Sequence, residues 1–393
     1  MALREGYVMS PGARMEYLDS IFIRYKRASR KQKSKILTEF CINTNYHRKH
    51  ALRLLNTHKR FTKPKLKKRG KPSRYKKESV ITPLKKIWLA ADLPCSKLLK
   101  AVIPLWLPYY AKEYEVLPLY VVTALLKISP ASIDRVLKPI RINYKGRGRS
   151  TTKPGTLLRK QIPIKTNQWD ESKPGFLEAD TVAHCGTTVE GIYANTVNFV
   201  DIATGWTEQR AVWGKGEIGV LDQIKDVEIS LPFPLLGFDS DNGGEFLNWH
   251  LFRHFTNNDR KQVIEFTRSR AYKKNDNAHI EQKNWTHIRQ WLGYDRLDNP
   301  DAIPLMNDLY KTEWRLYHNF FCPSVKLIEK KRIASKTIKR YDKPKTPYQR
   351  ILESKNVSRS MKQKIKEQFK ELNPFTLRKG MEKKLKKVFL TTK

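Results

Sequence analysis

The stretch that decides the fold, residues 234–246, reads PLLGFDSDNGGEF. Its first half, Pro234 to Asp239, is short and apolar, as expected of a buried strand. Its second half begins with Asp241-Asn242-Gly243-Gly244, and the two glycines let the backbone turn sharply. The stretch therefore predicts a carboxylate, Asp241, just past the C-terminal end of a strand.

Three strands are predicted before this stretch and one after it. Gly175–His184, Ile192–Ile202 and Trp206–Trp213 have the composition of strands, and a turn at residues 203–205 favours an antiparallel meander. Val263–Thr267 is the fifth strand. Helical spacing follows in three places: 219–229, 245–255 and 278–292. This order of elements is that of the ribonuclease-H-like fold, so we expect an α/β core with a mixed five-stranded sheet.

Three acidic residues fall at key positions of this core. Asp180 lies inside the first strand, where an acid among apolar residues needs a reason. Asp241 ends the fourth strand, and Glu281 lies in the first turns of the last helix. In this fold the two strands are neighbours and the helix packs across them, so the three side chains can converge. Hard cations such as Mg²⁺ prefer oxygen ligands, and two such ions can assist phosphoryl displacement.

The sequences around these acids carry a family resemblance. Glu-Ala-Asp180-Thr, Asp-Ser-Asp241-Asn-Gly-Gly-Glu-Phe and Asn-Ala-His-Ile-Glu281-Gln-Lys-Asn resemble the three motif blocks of the retroviral-integrase-type catalytic core, which DDE transposases of bacterial insertion sequences share. The resemblance covers about residues 166–295. The 39 residues between Asp241 and Glu281 slightly exceed the family pattern, and a longer loop at 268–277 would absorb the difference.

The resemblance implies a DDE polynucleotidyl transferase. Asp180, Asp241 and Glu281 would be catalytic ligands of two Mg²⁺ or Mn²⁺ ions. The enzyme would cleave double-stranded DNA at the ends of a mobile element and join the ends to a target. Members act as multimers on DNA, so a homo-multimer is expected. Two alternatives stay open, namely a metal-dependent nuclease without strand transfer and a non-catalytic DNA-binding repressor derived from a transposase.

Several residues around the acids are further site candidates. Asn242 could orient Asp241, and His184 could support the site or touch DNA, although it also fits a polar strand end. The integrase family contacts DNA from the last helix and the loop before it. The resemblance therefore implies that four basic residues contact DNA: Lys273, Lys274, Lys283 and Arg289. For Lys273 and Lys274, which lie in the loop, a role in solubility alone is the alternative.

Charge is distributed unevenly along the chain. The 393 residues include 78 Lys and Arg against 38 Asp and Glu, a net charge of +40. Residues 166–295 nevertheless contain 13 basic and 19 acidic residues, a net charge of −6. A strongly basic chain points to nucleic acid as partner, and an acidic middle suits an enzyme that holds cations beside a phosphate backbone. An ordinary acidic surface would give the same count.

The N-terminal flank is predicted to be a helix-turn-helix module. Ser29–Leu55 fits two short helices with a break at residues 43–45, and basic residues decorate the second helix. In such a module the second helix enters the major groove of DNA. The expected DNA contacts are Arg48, Lys49 and Arg53.

A second helix pair precedes the core. Leu125–Ile128 runs into Ser129-Pro130, a good helix start, and Pro139 ends the next helix. This fits another helix-turn-helix with Ser132 and Arg135 facing outward to DNA, or a plain helical hairpin.

The C-terminal region is predicted to be basic and mainly helical. Aromatic residues between 310 and 321 have near-helical spacing and are expected to pack a core. The basic stretch Lys330–Lys345 is a phosphate-binding candidate through Arg332, Lys336 and Arg340.

Six segments follow from these patterns. They are an N-terminal helix-turn-helix (1–62), a basic linker (63–80), a second helical module (81–142), a second basic linker (143–165), the integrase-type core (166–295) and the basic C-terminal region (296–393).

Cysteine usage and hydropathy set the compartment. The four cysteines are far apart and include no CxxC, which favours reduced thiols. Cys41 with His47 and His50 lacks the second cysteine of the retroviral zinc module, so no zinc is expected. The most apolar stretch, Ala101–Leu126, is interrupted by charges and proline, so no membrane span is expected. We therefore expect a cytoplasmic protein, and the resemblance to transposases of bacterial insertion sequences implies a prokaryotic, nucleoid-associated one.

Overall fold

The computed structural model describes residues 9–57, 74–142, 173–240, 243–257, 260, 262–268, 278–333 and 336–392. Contacts divide the chain into two units, residues 1–72 and 73–393.

Residues 9–57, the described part of the first unit, form three helices: α1 (Pro11–Arg27), α2 (Arg30–Thr44) and α3 (Arg48–Thr57). Ser10 caps α1, since its hydroxyl accepts a hydrogen bond from the Ala13 amide. Asn45 ends α2 in the left-handed conformation, with φ at 57°. The predicted helix pair with a break near Asn45 is thus confirmed, whereas α1 was not predicted. A small core joins the three helices: Leu18, Ile21, Tyr25, Ile36, Leu37, Phe40, Ala51 and Leu55.

The second unit is built on a five-stranded sheet of order β3-β2-β1-β4-β5. Its strands are β1 (Phe176–Ala183), β2 (Ala194–Asp201), β3 (Thr207–Trp213), β4 (Gly237–Ser240) and β5 (Glu265–Arg268). The first three pair antiparallel, β4 runs parallel to β1, and β5 runs parallel to β4. The predicted mixed sheet and its strand order are confirmed.

Three helical stretches connect and cover the strands. They are α8 (Glu217–Ser230), α9 (Trp249–Thr256) and a continuous helix made of α10 (Ala278–Lys283), a π-helical segment (Asn284–Arg289) and α11 (Gln290–Leu292). The helix predicted from Glu245 begins later because Asn248 caps α9 by accepting from the Leu251 amide. Phe246, just after β4, is instead fully buried against Phe238.

The next helices complete the sheet rather than form a separate extension. α12 (Ala302–Leu309), a π-helical segment (Tyr310–Trp314) and α13 (Arg315–Phe321) follow each other without a break. The aromatic side chains between Tyr310 and Phe321 are buried, which confirms their predicted role in packing. The side-chain amide of Asn307 accepts a hydrogen bond from the Ala211 N–H and donates one to the Ala211 carbonyl on β3. Asn319 forms the same pair of hydrogen bonds with the backbone of Thr207. These two amides pair the edge strand where a sixth strand would otherwise lie.

The helices before the core belong to the same unit. They are α4 (Glu78–Ala90), α5 (Ser96–Glu113), α6 (Leu119–Lys127) and α7 (Pro130–Arg141). Ser129 caps α7 as expected, accepting from the Ser132 amide. Trp106 of α5 is fully buried and packs edge-on against Tyr317 and Phe375, with its indole N–H donated to the Phe321 carbonyl. The segment predicted as a module of its own therefore shares one core with the C-terminal helices.

The C-terminal region is mainly helical, as predicted, but also contains an unpredicted hairpin. β6 (Leu327–Ile333) and β7 (Lys336–Tyr341) pair antiparallel and precede α14 (Pro347–Glu353), α15 (Arg359–Glu371) and α16 (Pro374–Leu390). Ile328, Ile333 and Ile338 recur among lysines in this stretch, and all three are exposed. The basic stretch proposed to bind phosphate is thus a two-stranded ribbon. None of the helices in the described residues is long and apolar enough to span a bilayer.

Candidate functional site

Asp180 lies in the middle of the sheet, on β1. Its register neighbour on β2 is Asn198, and the preceding residue, Ala179, is opposite Ser240 of β4. The Asp180 carboxylate accepts hydrogen bonds from the Thr181 amide to Oδ1 at 2.7 Å and from Asn284 Nδ2 to Oδ2 at 2.6 Å. Asn284 belongs to the helix that begins at Ala278, so this contact joins the first strand to that helix.

Glu281 lies on the same helix, three residues before Asn284, and its side chain is exposed. Helical residues three apart are neighbours on one face, with Cβ atoms roughly 5–6 Å apart. Glu281 is thus one helical turn from Asn284, the residue that contacts the Asp180 carboxylate. The structure thus brings together the strand and the helix face that the sequence assigned to the site.

The second acidic position of the motif follows β4 in the sequence. This strand ends at Ser240, and Asp241 and Asn242 lie outside the described residues. The chain beyond them is held by Glu245, which accepts from the Thr181 hydroxyl at 2.7 Å and from Lys215 Nζ at 2.9 Å. Burial raises the pKa of Glu245, but Lys215 and the Thr181 hydroxyl outweigh it and hold that pKa below its usual range. The Glu-Phe half of the motif therefore joins the chain at residues 245–246 to β1 and to the core.

Two further carboxylates lie on the same face of the sheet. Glu178 is two residues before Asp180, and its register neighbour on β4 is Asp239, so alternation places all three on one side. Asp239 accepts from the Thr267 hydroxyl at 2.7 Å. Glu178 is buried and accepts from the Ile280 amide at 3.0 Å, near the start of the helix that carries Glu281. A carboxylate there compensates free N–H groups of the helix.

A row of buried amides completes this face, and sequence reasoning missed it. Asn198 Nδ2 donates to Asn284 Oδ1 at 2.7 Å, and Gln209 Nε2 donates to Asn198 Oδ1 at 2.8 Å. Asn198 and Gln209 are fully buried. The sequence does carry a signal for them, since each is an amide at the centre of a run that otherwise has the composition of a strand. An amide buried in a strand needs a hydrogen-bond partner, because its burial is otherwise unfavourable.

The structure changes the interpretation of two predicted site residues, His184 and Lys283. His184 is fully buried, and its Nε2 lies 2.8 Å from the Thr196 hydroxyl, which in turn contacts the Tyr310 hydroxyl. Lys283 is buried beside His287 at 3.3 Å, and burial lowers the pKa of its ammonium to about 8. The predicted DNA contact of Lys283 is wrong, and so is the alternative that His184 touches DNA, because neither side chain reaches the surface. Support of the metal site by His184 stays a prediction.

The other basic residues of the core have different placements. Arg289 donates to the Ala183 carbonyl at 2.8 Å and lies over the Tyr294 ring, so it ties the helix to the end of β1. Lys273 and Lys274 lie outside the described residues. Contact of these three residues with DNA stays a prediction.

The flanking candidates mostly lie at the surface. Arg48, Lys49 and Arg53 are exposed on α3, and Arg48 also donates to the Thr38 hydroxyl at 2.9 Å. Arg135 is exposed on α7, while Ser132 is half-buried and contacts Ser129. The ribbon residues Arg332 and Lys336 are neighbouring register positions of β6 and β7, and Arg340 is exposed beside Glu329.

A curated relative shares most of the chain. No protein-family model matches. "Uncharacterized protein y4rM" of Sinorhizobium fredii (strain NBRC 101917 / NGR234) is 38% identical over 344 residues, which cover 87% of this chain and 96% of the relative. The chain belongs to the y4rM family.

Three of the solved structures that are similar to this y4rM family member are of retroviral proteins. The simian T-cell lymphotropic virus intasome in complex with PP2A regulatory subunit B56 gamma is 12% identical, with 58% of this chain and 69% of that chain covered and a TM-score of 0.32. The catalytic core of BIV integrase is 14% identical, with 46% of this chain and 95% of that chain covered and a TM-score of 0.27. The HTLV-2 integrase catalytic core in complex with magnesium is 15% identical, with 42% of this chain and 94% of that chain covered and a TM-score of 0.27. At these TM-scores the likeness carries no argument, so the integrase-type fold rests on the strand order and register above.

The buried imidazole of His184 predicts acid sensitivity. Burial, with a smaller effect of Arg289, lowers the pKa of His184 to about 3. An unfolded histidine takes up a proton near pH 6.5, so the stabilising contribution is complete above that pH and is lost as the pH falls toward 3. At pH 5 the loss is about 2 kcal/mol. Urea unfolding of the wild type and of His184→Gln at pH 7.5 and 5 measures it.

The difference between the two pH values should be smaller in His184→Gln than in the wild type. His250 is exposed and provides the matched control. An equal reduction in His250→Gln, or none in His184→Gln, would contradict the assignment.

Proposed function

We propose that this protein is a DDE transposase that cleaves the ends of a mobile DNA element and transfers them to a target. The observation that supports this most is the contact of Asp180 with Asn284, one helical turn from Glu281. This contact joins β1, which carries Asp180, to the helix that carries Glu281, and so supports a site that both acids share.

The third acid, Asp241, follows Ser240 directly. Ser240 ends β4 and pairs with Ala179, the residue before Asp180. Within the described residues, no group of three or more His, Cys, Asp or Glu side chains gathers to hold a metal ion. The proposed metal site is therefore complete only with Asp241.

The donors fit hard divalent cations. Asp180 and Glu281 offer carboxylate oxygens, which Mg²⁺ and Mn²⁺ prefer, and we propose that two ions bind between them and Asp241. When bound, such ions supply Lewis-acid stabilisation for an in-line phosphodiester displacement. The protein's own part is to hold Asp180 through Asn284 and to fix the start of the Glu281 helix through Glu178.

The proposed partner is double-stranded DNA, and we propose that it is bound largely by residues outside the core. The basic residues exposed on α3, α7 and the ribbon would neutralise phosphates, and α3 would be the recognition helix of the N-terminal module. We propose a homo-multimer, because two ends must be joined in one reaction.

The test is cleavage of a supercoiled plasmid that carries the gene's own flanking DNA, with Mg²⁺ or Mn²⁺. Nicked and joined products from the full chain would support the transposase. Nicks without joined products would favour a nuclease of the same fold. Tight binding without cleavage in either metal would favour a non-catalytic repressor.

Lys49 and Arg53 should contribute phosphate contacts. Each Lys49→Ala or Arg53→Ala change is expected to weaken binding to a duplex of the flanking DNA. It should also reduce the slope of log affinity against log salt by about 1, as expected when one phosphate contact is lost. Fluorescence anisotropy over a range of salt concentrations measures both.

Arg27, exposed at the end of α1, is the matched control for the same unit. If Arg27→Ala reduces the slope as much as Arg53→Ala does, binding is a general effect of charge and α3 is not the recognition helix.

A further inference from the structure

The amides that end at Asp180 form one chain across the sheet. Gln209 on β3 donates to Asn198 on β2, Asn198 donates to Asn284 on the helix, and Asn284 donates to Asp180 on β1, with distances of 2.8, 2.7 and 2.6 Å. Asp180 and Asn198 are register neighbours, as are Asn198 and Gln209. We call these three side chains (Gln209, Asn198 and Asn284) the amide relay.

The direction of every hydrogen bond in the relay is determined at its Asp180 end. An ionised carboxylate only accepts, so Asn284 must present its Nδ2 there and its Oδ1 to Asn198. Asn198 must then present its own Nδ2 to Asn284 and its Oδ1 to Gln209, whose Nε2 donates. Flipping any one amide would set two donors or two acceptors against each other.

The far end of the relay sits in rigid surroundings. Gln209 and Asn198 are fully buried in neighbouring strands, and Gln209 Oε1 has no hydrogen-bond partner in the described part of the chain. A buried amide oxygen without a partner costs free energy, because it gives up its hydrogen bonds to water and gains none in the protein. The fold therefore tolerates a penalty at Gln209 in an arrangement that directs the Gln209 Nε2 donor to Asn198.

We propose that Gln209 and Asn198 are positioning residues that act on the catalytic site through Asn284. They hold the Asn284 amide with Nδ2 toward Asp180, and so fix the carboxylate of Asp180 relative to the helix that carries Glu281. This rests on the proposed metal-dependent function of Asp180. Partners of this kind commonly change metal affinity or activity by about 10- to 100-fold.

Gln209→Glu is the sharpest test, because it keeps the size of the side chain and reverses its hydrogen bonding. The introduced carboxylate can only accept when it is ionised, so Asn198 must turn its Nδ2 away from Asn284, and Asn284 must then turn its Oδ1 toward Asp180. The relay predicts weaker cation binding. A direct charge effect predicts the opposite, since a new negative charge two strands away, roughly 10 Å, attracts a cation.

The experiment titrates the full chain with Mn²⁺ at pH 7.5, following free Mn²⁺ by electron paramagnetic resonance, and measures plasmid nicking in parallel. In Gln209→Glu we expect the Mn²⁺ Kd to rise about tenfold and kcat to fall about tenfold with KM for DNA unchanged. Gln209→Met removes the Nε2 donor together with the unpartnered Oε1 and introduces no opposing acceptor. It should raise the Kd less, and it serves if the Gln209→Glu variant does not fold.

Asn319→Leu is the matched control. Asn319 is equally buried and holds the same strand, at Thr207, but lies outside the relay. It should lower the melting temperature and leave the Mn²⁺ Kd unchanged. An unchanged or lower Kd in both Gln209 variants, or an equal rise in Asn319→Leu, overturns the relay.

The two proposals fail differently. If the wild type binds Mn²⁺ in a way that Asp180→Asn abolishes, but cuts no DNA, the transposase is rejected and the Kd values still decide the relay. If the wild type binds no Mn²⁺, both are overturned.

Discussion

Replacing Asp180 or Asp241 by asparagine is expected to lower the rate of metal-dependent plasmid nicking by about 1,000-fold or more, with DNA binding unchanged. Metal stabilisation of the transition state is worth several kcal/mol, and each 1.4 kcal/mol is about tenfold in rate. An amide keeps the size of the carboxylate but removes the charge that holds the cation. Glu281→Gln should have the same effect, and single-turnover nicking in Mg²⁺ and Mn²⁺ measures all three.

Asp239 supplies the matched control for this prediction. It lies on the same face of the sheet as Asp180, but its carboxylate accepts a hydrogen bond from the Thr267 hydroxyl. The side-chain oxygen of an asparagine can accept the same hydrogen bond. Asp239→Asn should therefore retain activity within about tenfold of the wild type. If Asp239→Asn is inactive and Asp241→Asn is active, the second ligand is Asp239 and the motif was aligned two residues out of place.

The parts of the fold that could be predicted from sequence depend on local patterns. An acid inside an apolar strand identified Asp180, and Asn-Gly-Gly after a short apolar run identified the end of β4. The order of strands and helices then required the mixed sheet that the structure contains. Each of these signals lies within about ten residues of the chain, where periodicity and turn chemistry act directly.

The errors arise where side-chain direction or distant contacts decide. Lys283 is two residues from Glu281, and helical residues two apart do not share a face, so it points into the core. His184 looked like a polar strand end, but its partner Thr196 comes from another strand. Thr196 in turn contacts Tyr310, on a helical segment more than 100 residues away. The amide relay likewise joins residues 180, 198, 209 and 284, and no local pattern indicates such a network.

Excising the predicted core, residues 166–295, is expected to give a fragment that does not fold. The boundary at 295 removes Asn307 and Asn319, which together make four hydrogen bonds to the edge strand β3. It also removes Arg315, which pairs with the fully buried Glu208. Leaving one buried polar group unpaired costs about 1–3 kcal/mol, and a domain is stable by only about 5–15 kcal/mol.

The fragment 73–393 is the matched comparison, because it keeps the whole second unit. Near-ultraviolet circular dichroism and thermal unfolding should show a cooperative transition for 73–393 and none for 166–295. Two other contacts point the same way. Phe320 packs against Trp206 beside β3, and the Tyr310 hydroxyl forms a hydrogen bond with the Thr196 hydroxyl of β2. A fragment 166–295 that melts cooperatively within a few degrees of 73–393 would show that the sheet and its own helices suffice. The catalytic sheet would then be a domain in its own right, and residues 302–321 an accessory to it.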